Sequence, residues 1–185
     1  TTLGETGGDA VSMSWLGETT PGATGYGYLV GTAIFAAIFA LAAWAQIRAT
    51  RFNPFLYWTT IIASTTVGTT LADYVTRSLG IGYAGGSTLL LALVLGSLWW
   101  WKHALGTVSV DSVADPTSEA FYWLTIMCSQ TLGTALGDWI ADGPLGYLGS
   151  AIIFGALLAL LAIAYYRTAI SHVALIHCET STGIL

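Results

Sequence analysis

Apolar runs of about 20 residues, separated by short pauses rich in glycine, proline or charge, cover most of the chain. A hydrocarbon core of roughly 30 Å is crossed by about 20 helical residues, so these runs predict membrane-spanning helices. The spans expected are Thr1 to about Trp15 (partial), Tyr26 to Ile47, Pro54 to about Ser78, Ser87 to Trp101, Glu119 to Ile140, and Leu145 to about Ala169. Turns are predicted near residues 16–25 around Pro21, at 79–86 (LGIGYAGG) and at 141–145, and the long polar segment 106–118 reads as a loop. Asn53 before Pro54 has the chemistry of a helix start: Asn accepts from first-turn amides, and proline lacks only an amide that would be orphaned there. The tail from Ser171 is short and mildly polar, a weak signal for a surface-lying segment. The expected fold class is all-α, a polytopic membrane protein of about six transmembrane helices.

Superimposed on the hydropathy pattern is a repeat. YWTTIIASTTVGTTLAD, from Tyr57 to Asp73, returns as YWLTIMCSQTLGTALGD from Tyr122 to Asp138, a shift of 65 residues. The frame T-x-G-(E/T)-x-x-x-D occurs once more at Thr2 to Asp9, with Gly4 lying 64 residues before Gly68. Such periodicity marks copies of one supersecondary unit. The repeats run over about 1–49, 54–105 and 119–170 of a single membrane domain, 1–185. Equivalents of Tyr57 to Ser64 are missing ahead of Thr1, so the sequence is expected to start partway along its first helix. Each unit is a motif-bearing odd helix followed by a nearly featureless apolar even helix. All odd helices then cross in one sense, and parallel repeats of this kind meet around an axis along the membrane normal. A pseudo-threefold bundle is expected, with motif faces inward and even helices toward lipid or a partner.

Composition sharpens this picture. Hydrophobic residues make up 55% of the chain and charged residues only 8%, too few to clothe a soluble surface. Mean hydropathy is +0.70. A net charge of −5 leaves no basic patch for phosphate, which argues against nucleic acid as a partner. Arg48, Arg51, Lys102 and Arg167 fall on one side of the predicted topology and Arg77 on the other, making the first side cytoplasmic. Trp99–Trp101 beside Lys102, and Tyr165–Tyr166 beside Arg167, fit an aromatic belt there. Cys128 and Cys178 have no paired spacing and read as ordinary thiols.

The residues that carry candidate chemistry are the repeated carboxylates. An ionisable group inside a span costs a few kcal/mol unless it faces a polar cavity or partner. Asp9, Asp73 and Asp138 recur at one depth, with Glu5 one turn deeper, toward the non-cytoplasmic end. Thr66 and Asp73 are seven apart and share a helix face, as do Thr131 and Asp138, and Thr2 and Asp9. The expectation is that Asp73 and Asp138 are mostly buried and bonded to Thr hydroxyls or backbone amides of a neighbouring repeat. A plainer alternative for Asp73 is a local pair with Arg77, one turn away. Gly4, Gly68, Gly133 and Gly137 suit close helix packing. His172, His177, Cys178 and Glu179 match no zinc spacing. Lys102, the only lysine, lies at an interface, which excludes a retinal-type Schiff base within a span. No nucleophile and base are brought together, so no enzyme is expected, and no cofactor or metal is specified.

The frame at Thr2–Asp9, Thr66–Asp73 and Thr131–Asp138 resembles an uncharacterised family of repeat-built bacterial integral membrane proteins. That resemblance covers Thr1 to about Ala169 and implies no substrate. Two readings follow. In one, Glu5, Asp9, Asp73 and Asp138 are ligands or proton carriers of a cation or proton transporter or channel, with Thr2, Thr66 and Thr131 alongside. In the other, the chain is an accessory or structural subunit of a larger membrane complex or a homo-oligomer in the lipid bilayer.

Overall fold

The computed structural model describes residues 2–23, 26–49, 51–106, 108 and 115–181, with side chains between 3 and 167. Every regular element among them is helical. In chain order these are α1 (Thr2–Asp9), a π-helical turn π1 (Ala10–Trp15), α2 (Tyr26–Arg48), α3 (Pro54–Asp73), a second π-turn π2 (Tyr74–Ser78), α4 (Gly82–Leu105), α5 (Pro116–Ala141) and α6 (Gly146–Ser181). The chain forms two compact units, Thr1–Trp139 and Ile140–Leu185.

Helix ends follow local chemistry. The Asn53 carboxamide oxygen accepts from the Phe55 and Leu56 amides at 3.0 and 3.3 Å, with Pro54 in the first turn, as expected. Helix α5 starts at Pro116, three residues earlier than predicted, because Asp115 caps it: its Oδ1 accepts from the Thr117 and Ser118 amides at 2.8 and 3.1 Å. Helix α4 starts at Gly82, inside the segment expected to be a turn. Gly80 and Gly82, at φ +70° and +66°, complete the reversal alone, a backbone region that side chains with a Cβ avoid. Helix α6 runs on to Ser181, past the end expected near Ala169, since neither glycine nor proline interrupts the chain between Gly155 and Gly183. The side chains of His172, His177, Cys178 and Glu179 lie outside the described residues.

In the first unit α3 is the central element. Eleven of its 20 residues are buried, including Thr60, Ser64, Thr65, Thr66, Thr69, Thr70 and Asp73. Helix α1 lies on one side of it, with Gly4 against Ile62, Thr65 and Thr66 and Gly8 against Thr66 and Thr70. Both contacts advance together along the two helices, so α1 and α3 are parallel. On another side Gly68 packs against Gln130 and Thr131 of α5, and further along Arg77 reaches Asp138, so α3 and α5 are parallel too. The odd helices therefore share one direction, as parallel repeats require.

Two apolar clusters complete the core. Phe39 and Ala43 of α2, Ala63 and Val67 of α3, and Trp123 of α5 pack together toward the Arg48 and Lys102 end. Ala72, Val75, Leu90 and Ala135 join α3, π2, α4 and α5 toward the other end. Polar α3 and π2 can sit in this core because their hydroxyls turn back on carbonyls of the same continuous helix: Thr60, Thr65 and Thr66 of α3 and Thr76 of π2 each donate to the carbonyl four residues earlier at 2.8–2.9 Å. A buried hydroxyl left without a partner would cost about 1–3 kcal/mol.

The even helices face outward. Ile34, Ile38 and Leu41 of α2 and Leu89, Leu91, Leu93 and Leu95 of α4 are exposed. Residues Tyr26–Arg48, Gly82–Leu105 and Gly146–Arg167 are long and apolar enough to cross a membrane, with mean hydropathies of 2.0, 1.4 and 2.3. An exposed apolar surface of this length is stable only in lipid. The protein is a membrane protein. Helices α3 and α5 reach spanning length, at 20 and 26 residues, but the polar motif keeps them out of this apolar group.

Candidate functional site

The motif aspartates of α3 and α5 are brought together by one arginine. Arg77 Nε lies 2.9 Å from Asp73 Oδ1, and Arg77 Nη2 donates to Asp138 Oδ2 at 3.3 Å. The Asp73 side chain is 2% exposed, that of Asp138 28% and that of Arg77 38%, so the bridge runs from the protein interior to a wet edge. The local pair of Asp73 with Arg77 is thus present, but it is half of an inter-repeat bridge. Asp9 is partly buried, near enough to Glu5, Asp138 and Arg77 to feel their charges, and its Oδ1 is buried without a hydrogen-bond partner. Glu5 is exposed.

The motif threonines Thr66 and Thr131 donate within their own helices. Thr66 donates to the Ile62 carbonyl and Thr131 to the Met127 carbonyl, at 2.9 and 2.8 Å. Thr66 and Thr131 are buried packing surfaces: they receive Gly4 and Gly68 respectively. The side chain of Thr2 lies outside the described residues.

The four glycines divide. A methyl group at Gly4 would come within 2.9 Å of the Ile62 carbonyl oxygen, and one at Gly68 within 3.2 Å of the Thr131 amide nitrogen. At Gly133 and Gly137 it would meet nothing within 4 Å. The packing role expected of all four is therefore visible at Gly4 and Gly68. Helix α5 has no described odd helix beyond it to receive the third copy of the contact.

Three features lay beyond the sequence reading. Both Asp9 and Asp73 stand immediately before a π-turn, where i to i+5 bonding widens the helix; such turns recur at functional sites. Ser12 and Thr76, each three residues after its aspartate, donate to the Gly8 and Ala72 carbonyls at 2.9 and 2.8 Å. Gln130 Oε1 accepts from Ser64 and Thr65 at 3.2 and 2.7 Å, a second polar bridge between α3 and α5. The third feature is Thr69, on the same face between Thr65 and Asp73. It is 2% exposed, and its hydroxyl has no hydrogen-bond partner. The signal for Gln130 was present, as a long polar residue at the Thr65 position of its repeat.

Among the described residues no group of three His, Cys, Asp or Glu side chains could hold a metal ion. Beside the bridge lies an open cleft of about 450 Å³, lined by Met13, Glu18, Thr19, Ala23, Tyr28, Arg77 and Ser78. Both π-turns contribute to its wall. Glu18 in turn accepts from the Gly27 amide at the start of α2.

Fold and site together define a helical membrane protein built from repeats, with charge concentrated where the motif helices meet. The chain belongs to the family described as "Repeat of Unknown Function (DUF347)", which it matches over residues 1–52, 56–107 and 121–171. Nothing among curated proteins or solved structures matches it.

Proposed function

We propose that this protein is a multi-pass protein of the inner (plasma) membrane that moves protons, or another small cation, along the seam between its motif helices. The observation that carries the reading is the charge imbalance at the bridge. One guanidinium serves Asp73 and Asp138, and Asp9 lies alongside with a buried, unpartnered oxygen. Carboxylates gathered at a partly buried site in excess of its positive charge favour neutralisation, and protons or cations supply what Arg77 cannot. Protons suit the site better than a caged divalent ion, which needs several oxygen ligands converging on one point. In this reading α3 and α5 cross the bilayer alongside the apolar helices α2 and α4, with Glu5 at the edge of the carboxylate cluster. No covalent chemistry is involved.

The test is flux in proteoliposomes loaded with a pH-sensitive dye, driven by a potassium diffusion potential. Proton movement well above that of empty liposomes is expected, falling at least tenfold in Asp73→Asn and Asp138→Asn. Absence of proton, sodium, magnesium or calcium movement under any gradient would overturn the proposal.

A second reading, an accessory subunit of a larger complex or homo-oligomer, is favoured by the open face at Gly133. Purification in mild detergent distinguishes the two: a large assembly with other chains supports the second reading, and an active small homogeneous protein removes it.

A further inference from the structure

We infer that the cleft beside Arg77 is the outer mouth of a half-channel that runs along the α3–α5 seam, passes a water site at Thr69 and ends on the apolar cluster around Trp123. The inference rests on the proton reading above and adds the route and its dead end. The cleft opens at the end of the molecule opposite Arg48 and Lys102, the non-cytoplasmic side by the positive-inside rule. Its charged and titratable walls are Glu18 from the α1–α2 turn, Tyr28 from α2 and Arg77 from π2. Behind Arg77 stand Asp73 and Asp138; Asp9 of α1 is close enough to interact electrostatically with Asp138 and Arg77, and Tyr83 of α4 with Arg77.

Going inward, Thr65, Thr69 and Asp73 lie at successive four-residue steps and so line one face of α3. Thr65 binds Gln130 of α5, and Asp73 is bridged to Asp138 of α5. Thr69 lies between those two bridges with its hydroxyl buried and unpartnered. Buried polar atoms of native proteins are nearly always satisfied, by ordered water where no side chain reaches. A water on Thr69 would join the carboxylate bridge to the Gln130 cluster in one hydrogen-bonded file, with the carboxylates Asp73 and Asp138 as the groups that take up and release the proton. Beyond Gln130 the file stops. Phe39, Ala63, Val67 and Trp123 close the seam with apolar atoms, and their edge-to-face Phe39–Trp123 contact has ring centroids 6.5 Å apart. The structure is therefore open to the outer side and closed to the inner one.

Accessibility tests this independently of flux. In a chain with Cys128 and Cys178 replaced by serine, Ser78→Cys and Met13→Cys are each exposed to a charged, membrane-impermeant methanethiosulfonate, with Ala63→Cys as the plug position. Modification of Ser78→Cys and Met13→Cys from the outer side only, with Ala63→Cys silent from both, is expected. Labelling of either mouth position from the cytoplasmic side alone, or of neither from outside, would overturn the assignment. At Thr69, valine should lower the melting temperature and reduce proton flux several-fold, with serine restoring both. A Thr69→Val protein that melts higher and conducts equally would show a dry hydroxyl and sink the water site. If the wild type moves no protons yet the labelling pattern holds, the proton reading fails and the outer cleft stands.

Discussion

Removing Arg77 should expose how much the inter-repeat bridge holds. At an effective dielectric of about 20, the 2.9 and 3.3 Å contacts to Asp73 and Asp138 correspond to roughly 5–6 kcal/mol of attraction each before desolvation is subtracted. The two halves are unequal after subtraction. Asp138 is partly wet, and pairs of that kind contribute about 0–1 kcal/mol net. Asp73 is enclosed, and removing the partner of an enclosed charge costs about 3–5 kcal/mol; the exposure of Arg77 itself puts the expectation near 3 kcal/mol. Arg77→Gln should therefore destabilise by about 3 kcal/mol, and Asp138→Asn by about 1 kcal/mol. Adding Asp73→Asn to Arg77→Gln removes the stranded charge and should recover about 2 kcal/mol, a coupling typical of residues in one ionic network. Arg77→Lys should fall between, because one ammonium cannot present two directed donors to two carboxylates.

The assay is intrinsic-fluorescence melting in detergent micelles, for which eight tryptophans give ample signal. One kcal/mol corresponds to about 2–4 °C for a chain of this size, so Arg77→Gln should melt about 6–12 °C lower and the double variant only about 2–4 °C lower. Raising salt should weaken the Asp138 half and spare the Asp73 half, since screening acts on the wet pair. If Arg77→Gln melts with the wild type, or if the double variant loses the sum of its parts, the bridge is incidental and Asp73 is neutral without it.

Alanine at the motif glycines should rank by available space. Gly4→Ala should cost about 2 kcal/mol by overpacking against the Ile62 carbonyl, Gly68→Ala about 1, and Gly133→Ala should gain up to about 1 from helix propensity; equal losses at all three would show that Gly133 packs on something. Thr76→Val, which removes the hydroxyl bonded to the Ala72 carbonyl, should cost about 1 kcal/mol in the same melting assay. At Asp115, outside the spans, the Ser118 hydroxyl and then the Ser118 and Thr117 amides hold the carboxyl below the usual carboxylate range. A lowered folded value means that the cap stabilises α5 above the unfolded pKa of about 3.9 and is lost as pH falls through the lower folded value. The Ser118 amide resonance should titrate with a midpoint below about 3.9, and a midpoint at or above it would refute the cap as the cause.

What could be read along the chain was what depends on neighbours in sequence. The helix start at Asn53–Pro54, the direction of the odd helices and the small-residue contacts of Gly4 and Gly68 follow from local chemistry or from the repeat. What could not be read depends on which copy has a neighbour. Gly68 and Gly133 occupy the same motif position, yet only Gly68 faces another described motif helix. Asp73 and Asp138 recur with the period, but Arg77 does not, and its reach across to Asp138 needs the distance between two helices. Nor does Thr69 differ in sequence from a threonine that is satisfied by its own helix; its orphaned hydroxyl is a property of packing.

The departures from repetition are where the chemistry concentrates. Counting three residues past the motif aspartate gives Ser12, Thr76 and Ala141, and four past gives Met13, Arg77 and Asp142. The two copies with a hydroxyl at the first position have π-turns, and the copy with alanine continues as regular α-helix to Ala141. A side-chain hydroxyl that shares the carbonyl four residues back leaves that acceptor competed for, which eases the shift of the next amide to the carbonyl five residues back. Widening the helix there turns the following residue toward the cleft: Met13 in the first copy and Arg77 in the second both line it. One copy thus supplies an apolar wall, one the positive charge and the third only a carboxylate. Strict threefold repetition would have placed three arginines beside three aspartates and neutralised the site. Keeping the arginine in one copy leaves the carboxylates in excess, and the proposed proton uptake rests on that excess.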